Sequence, residues 1–171
     1  RDGKVRLFAK SGKVLHRYFP EMVAALEALK PDDFVLDGEL VIPVGESLSF
    51  DALQMRLHPA ESRIRKLATE TPSLLVLFDL IEDATGTMLV DRPLSVRREA
   101  LETFFAANPS PGLRLSPVTH EITTAKSWLA HAGGALDGVV AKRLDDIYRP
   151  GERAMLKIKN IRTADCVVGG F

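Results

Sequence analysis

The chain has 171 residues, enough for one domain with a core of two or three layers. Hydrophobic residues make up 46% and charged residues 27%, which excludes a disordered chain, and no apolar run approaches the roughly 20 residues of a membrane span. Lys plus Arg and Asp plus Glu number 23 each, so bulk charge gives no case for nucleic acid, and any such surface is a local patch.

The polar start Arg1-Asp2-Gly3-Lys4 is no signal peptide, and the missing initiator Met reads as a fragment of a longer protein. Val5 to Ala9 is predicted as a strand, ended at Ser11-Gly12. Pro20 opens a helix over Glu21 to Leu29, with Met22, Val23, Leu26 and Leu29 on its apolar face. Phe34 to Pro43 is predicted as a strand that leaves through a loop, Val44 to Ser47. Ser49 caps a short helix from Asp51 to Leu57. Pro59 opens another, to Thr69. Leu74 to Ile81 is the most apolar segment and predicts a central strand. Glu82 to Thr87 turns into Met88-Leu89-Val90.

Ser95 is expected to cap a helix ending near Ala107. After the loop Asn108 to Gly112, Leu113 to Val118 forms a strand. Thr123 or Thr124 caps a helix from Ala125 to Ala132, stopped by Gly133-Gly134. Strands follow at Gly138 to Arg143, Ala154 to Lys159 and Cys166 to the end, with a turn at Tyr148 to Gly151. This irregular order predicts an α+β fold of mainly antiparallel sheets with flanking helices. No GxGxxG or P-loop pattern occurs. The single Cys166 excludes an internal disulfide, lies in an apolar run and is expected to be a buried thiol, in keeping with a reducing cytoplasm. His16, His58, His120 and His131 have no metal-ligand spacing and are expected to be structural or surface. Arg97-Arg98, at the start of a helix, is expected to be solvated, with contact to nucleic acid as the alternative.

Three strand segments carry candidate chemistry. In Leu36-Asp37-Gly38-Glu39-Leu40 the period of 2 puts both acids on one face. They are costly to bury unless paired or beside a cation, and Gly38 allows close backbone approach. A solvated acidic face on an edge strand is the alternative. In Asp137 to Arg143, Lys142 shares a face with Val140 and Gly138. In Met155 to Lys159, Lys157 and Lys159 share a face and are spaced to grip a phosphate group, or to protect a sheet edge. Together, the acids suit a divalent metal or a ribose hydroxyl and the lysines suit a polyphosphate, which points to a nucleotide with Mg²⁺.

In their order these segments resemble the covalent nucleotidyltransferases, the superfamily of DNA ligases, RNA ligases and capping enzymes. Asp37-Gly38-Glu39 resembles its motif III, Leu77-Phe78-Asp79-Leu80 motif IIIa, Asp137 to Lys142 motif IV, and Leu156-Lys157-Ile158-Lys159 motif V. Lys10-Ser11-Gly12 is similar to motif Ia. The runs Phe50 to Gln54, Arg56 to Arg63 and Tyr148 to Gly151 are similar to bacterial ATP-dependent DNA ligases of the C and D types.

The resemblance implies a nucleotidyltransferase (ATP-grasp-like) domain that uses ATP with Mg²⁺ or Mn²⁺. It implies that Glu39 binds ribose and helps place metal, that Phe78 stacks on adenine, and that Asp137 is a metal-linked carboxylate where Glu is usual. Val140, Lys142, Lys157 and Lys159 would line the nucleotide, with the three lysines catalytic at its phosphates. Lys10 and Arg17 would meet the DNA backbone. The implied reaction seals nicked double-stranded DNA in repair through a lysyl-AMP, by a monomer in the bacterial cytoplasm, with end-joining or repair proteins as possible partners. The nucleophile's motif, Lys-x-Asp-Gly, does not occur in the sequence, so an inactive piece is expected: residues 1–164 as part of the adenylation domain, and 165–171 as the hinge and first strand of an OB domain. An RNA ligase, a capping-type enzyme, or a non-catalytic nucleotide- or nucleic-acid-binding module are the alternatives.

Overall fold

The computed structural model describes residues 4–132, 138–152 and 154–159. Its centre is a three-stranded sheet of β1 (Val35–Val41), β4 (Leu74–Glu82) and β5 (Leu113–Leu115), in the order β1-β4-β5. β1 runs antiparallel to β4, and β5 runs parallel to it. Two antiparallel ribbons stand apart from this sheet: β2 (Pro43–Val44) with β3 (Ser47–Leu48), and β6 (Gly138–Ala141) with β7 (Leu156–Lys159). The helices among the described residues are α1 (Pro20–Glu27), α2 (Phe50–Met55), α3 (Glu61–Glu70), α4 (Leu94–Ala107) and α5 (Ile122–His131). The result is an α+β domain with small mixed sheets.

The apolar run of β4 takes the central place because it is covered on both sides. Leu75, Leu77, Leu80 and Ile81 are buried, and Leu77 is fully so. α4 packs on β4 through Leu94, Arg97, Leu101 and Phe104, whose spacing of three and four residues makes one helical face. Phe19, Met22, Leu26 and Ile42 join this core from α1 and from the end of β1.

The β1–β4 ladder is irregular where it matters. Asp37 faces Asp79 but Gly38 faces Leu77, so β4 carries an extra residue, Phe78. A second shift between Val35 and Leu36 leaves out Ile81. Such bulges re-aim side chains. Gly38 is required at the first: a Cβ there would stand 2.8 Å from the Val76 carbonyl oxygen. The close approach expected of Gly38 is present.

Several expected boundaries change. Val5 to Ala9 forms a turn-closing bridge, Phe8 with Val14, rather than a full strand, and Met88 likewise contributes a bridge to Glu82. The helix expected from Pro59 starts at Glu61, and β5 stops at Leu115. Ser49 caps α2 as expected, accepting from the Ala52 amide at 3.1 Å. Ser95 does not cap α4. The helix begins at Leu94, and the amides of Leu94 and Ser95 donate to the carbonyls of Asp146 and Leu144. A passing loop thus satisfies the first two free amides of the helix, and the next two, of Val96 and Arg97, donate to the Pro93 carbonyl. Thr123 and Thr124 lie inside the first turn of α5, which begins at Ile122. The strand expected from Cys166 and the proposed division at 164/165 lie outside the described residues.

Candidate functional site

β4 delivers Phe78 at the bulge, half-buried, and the segment just after β6 delivers Lys142 to it. The Lys142 Nζ sits over the Phe78 ring, 4.8 Å from its centroid, a cation–π contact between two residues 64 positions apart. Burial pushes the Lys142 ammonium below its ordinary pKa. The negative charges of Asp79 and Asp37 oppose that shift, and the nearby Arg97 and Arg98 add to it.

Behind this contact lies a network of matched charges. Asp79 is buried and accepts from Arg97 through both oxygens, at 2.8 Å from Nε and 2.9 Å from Nη2. A buried carboxylate on an apolar strand needs such a partner. Arg97 also donates to the carbonyls of Arg92 at 2.6 Å and Asp146 at 3.1 Å, and its guanidinium lies 5.7 Å from the centre of the Tyr148 ring. Tyr148 donates its hydroxyl to Asp37 Oδ2 at 2.8 Å. Burial first, and then the bond to and charge of Asp37, push the Tyr148 hydroxyl up to about 12. Its amide donates to the Val90 carbonyl at 2.9 Å, so the 144–148 loop is fastened to the segment that leads into α4.

Arg97 corrects an expectation. The solvated position expected for it does not hold, for it is only 3% exposed. A sign was present in the sequence: Asp79 within an apolar strand calls for a cation, and Arg97 falls on the helix face that also holds Leu94 and Leu101. Arg98 is also engaged, donating to Glu102 at 2.6 Å and to the Ser116 hydroxyl and carbonyl at 3.1 Å each. In the sequence Tyr148 belongs to a turn and to a run that resembles the C- and D-type ligases, but its tie to Asp37 spans a separation that no local pattern exposes.

The other expected site residues divide into groups. Val140 faces Lys157 and Gly138 faces Lys159 across the β6–β7 ribbon, where β7 is exposed throughout. The ribbon closes this tightly because Gly138 has no side chain: with φ +152, an added Cβ would collide with the Ile158 carbonyl. Glu39 is exposed on β1 opposite Val76, two residues before Phe78. Among the described residues no hydrogen bond joins Glu39 to the Lys142–Phe78 pair, and no group of three His, Cys, Asp or Glu gathers as a metal cluster. Asp137 lies outside the described residues. Lys10 is exposed in the N-terminal turn, and the exposed Arg17 donates to the Pro59 carbonyl at 3.2 Å while stacking 5.0 Å above Tyr18. No helix among the described residues is long and apolar enough to cross a membrane.

Residues 1–159 match the ATP dependent DNA ligase domain. The chain belongs to this family. It is 48% identical to DNA ligase C2 of Mycolicibacterium smegmatis, over all of this chain and 48% of that protein. It is 44% identical to DNA ligase C of Mycobacterium tuberculosis, over all of this chain and 49% of that protein. The ligase domain of M. tuberculosis LigD superposes with a TM-score of 0.69 at 29% identity, over 92% of this chain and 47% of that one. A mycobacterial DNA ligase D complexed with ATP and MES superposes with a TM-score of 0.65 at 26% identity, over 92% of this chain and 48% of that one. The chain thus spans about half the length of the curated relatives it matches. In this ligase domain, three of the segments that suggested the resemblance supply the joined groups: Asp37 from the first, Phe78 and Asp79 from the second, and Lys142 from the third.

Proposed function

We propose that this domain binds ATP between β4 and the β6–β7 ribbon, and that the protein it comes from seals nicks in duplex DNA during repair. The observation that carries this is the Lys142–Phe78 contact. It joins a cation to an aromatic ring, two groups of opposite use, one for phosphate and one for a flat base. A ligase D of the same fold solved in complex with ATP supports the choice of nucleotide. Lys157 and Lys159, in register with Val140 and Gly138, extend the cationic surface. Glu39 would take the ribose.

Mg²⁺ or Mn²⁺ fits the residues present only as a shared ion. Glu39, exposed on β1, would offer one carboxylate, the resemblance implies Asp137 as a second, and the triphosphate would supply the remaining oxygens, as is usual for Mg²⁺. Its contribution when bound is to neutralise phosphate charge. The lysines do the same from the protein side as pyrophosphate leaves.

The reaction has three displacements at phosphorus. A lysine amine attacks the α-phosphate, forming a P–N bond and releasing pyrophosphate. The 5′-phosphate of the nick then takes the AMP, freeing the lysine. The 3′-hydroxyl attacks that activated phosphate, joins the strand and expels AMP. We assign the attacking lysine to sequence outside these residues, since Lys-x-Asp-Gly does not occur within them. Lys10 and Arg17, both exposed, would meet the DNA backbone.

Incubation of this chain with labelled ATP and Mg²⁺ or Mn²⁺ is expected to give no stable protein–AMP adduct, and an adduct overturns the lysine assignment. In the longer protein, ATP but not GTP is expected to form the adduct. Lys142→Ala is expected to lower adduct formation by about tenfold or more, the cost of one charge-assisted contact in the transition state. Unchanged rates in that variant would remove Lys142 from the site.

A further inference from the structure

We infer that Tyr148 is a positioning residue: its hydroxyl holds the Asp37 carboxylate back from Lys142, leaving that ammonium free to meet a polyphosphate. The inference rests on the ATP-binding reading above and adds a residue to it. The charged groups that face Lys142 are Asp79, Asp37, Arg97 and Arg98. A half-buried ammonium beside two carboxylates would ordinarily close an ion pair with one of them. Here each acid is already engaged. Asp79 spends both oxygens on the Arg97 fork, and Asp37 accepts from Tyr148 at 2.8 Å. Among the described residues Lys142 has no ion pair, and its contact is with the Phe78 ring.

Tyr148 is itself held for this task. Its amide is fastened to the Val90 carbonyl, and the Arg97 guanidinium lies over its ring. Arg97 therefore touches both arms of the arrangement, binding one acid directly and packing on the tyrosine that binds the other. Without the hydroxyl, Asp37 loses its donor, and Lys142, already within its electrostatic reach, is a cation with no ion pair of its own among the described residues. An Asp37–Lys142 pair would then compete with phosphate for the same ammonium.

Lysine-selective ¹³C labelling, with the Lys142 Cε resonance assigned through Lys142→Arg, tests this without any nucleotide. In Tyr148→Phe the Lys142 pKa is expected to rise, because Asp37 closes on the ammonium. In Tyr148→Phe/Asp37→Asn it is expected to fall back to or below the starting value. The same resonance, titrated with inorganic tripolyphosphate, is expected to report about tenfold weaker binding in Tyr148→Phe and recovery in the double variant.

A purely structural tyrosine would not be rescued by removing a charge. The proposal is overturned if the Lys142 pKa stays fixed or falls in Tyr148→Phe, or if Asp37→Asn does not reverse the rise. If the pKa pattern holds but Lys142 ignores tripolyphosphate in the wild type, the restraint on Asp37 stands and the phosphate reading fails.

Discussion

Arg56 and Arg97 are both buried, at 0% and 3% exposure, yet they sit in different settings. Arg56 joins α1, the end of α2 and the approach to β4. It donates to Glu21 at 2.7 Å and to the carbonyls of Tyr18 and Thr71, and it stacks 4.9 Å from the centre of the Phe19 ring. Its partner Glu21 remains 19% exposed and also accepts from the amide and hydroxyl of Ser73. Arg97 pairs with Asp79, which is 3% exposed at its side chain, and it touches Tyr148. One arginine ties helices to the sheet at a distance from the candidate site. The other forms the rear wall of that site. Equal burial therefore says little about function, and the groups an arginine's partners face say more.

Removing each arginine separates the two roles. Arg97→Ala leaves Asp79 buried and without its counter-charge, which costs about 3–5 kcal/mol of stability. It is also expected to release Tyr148 and Lys142, so that a ligand-dependent rise in melting temperature with ATP disappears in whatever fraction stays folded. Arg56→Ala is expected to cost less, about 2–3 kcal/mol, because Glu21 keeps Ser73 and some access to water. The ATP-dependent rise should survive. Urea denaturation measures the stability losses, and thermal unfolding with and without ATP measures the ligand effect. A loss of the ATP effect in Arg56→Ala would erase the distinction between the two arginines.

A backbone variant sharpens the same comparison from the other strand. Gly38→Ala places a methyl group 2.8 Å from the Val76 carbonyl oxygen and 3.1 Å from Leu75 Cδ1. The first is backbone and does not yield, so β1 and β4 must part at the bulge that presents Phe78. The expected loss is about 1–3 kcal/mol, typical of overpacking. Faster hydrogen exchange should appear at the amides of Asp37 to Glu39 and be weaker around Arg56. Equal loosening in both places would show that the bulge and the scaffold form one cooperative unit.

Much of the domain is legible in the sequence because local physics decides it. The Leu74 to Glu82 run, apolar on both faces, has to be central, and Ser49 has to cap where it can reach the Ala52 amide. The order of the acid and lysine segments is equally plain. The groups behind the site are not. Whether Arg97 is solvated or buried depends on Asp79, from which it is 18 positions away, and the choice between Ser95 and a loop carbonyl as helix cap depends on Asp146. The Tyr148–Asp37 bond spans 111 positions. Each is set by tertiary packing, and a pattern read in short windows contains half of the pair at most. The buried acid was the usable clue: its cost in an apolar strand requires a cation to be found elsewhere in the chain.

The alkaline limb of stability gives the smallest of these effects and isolates Tyr148. Its hydroxyl is raised from an ordinary 10 to about 12, so the protonated form is favoured in the fold. The folded chain therefore binds more protons than the unfolded one between those values, and stability from this group is whole below pH 10 and lost as pH rises through 12. Lys142 acts in the opposite sense, because its ammonium is disfavoured in the fold, and its penalty is relieved as pH climbs towards the ordinary 10.5. The two effects part above pH 10.5, where only the tyrosine continues to act. In a Lys142→Met background, which removes the lysine's own titration, the stability with Tyr148 minus that of Tyr148→Phe, from urea midpoints at a series of pH values, is thus expected to shrink between pH 10 and 12. The decline should be about 1 kcal/mol, well under the full value of the shift, because the half-exposed ring is partly screened by water. A difference that stays flat across that range would mean that the Asp37 bond does not hold the hydroxyl proton, and would detach Tyr148 from the acids behind Lys142.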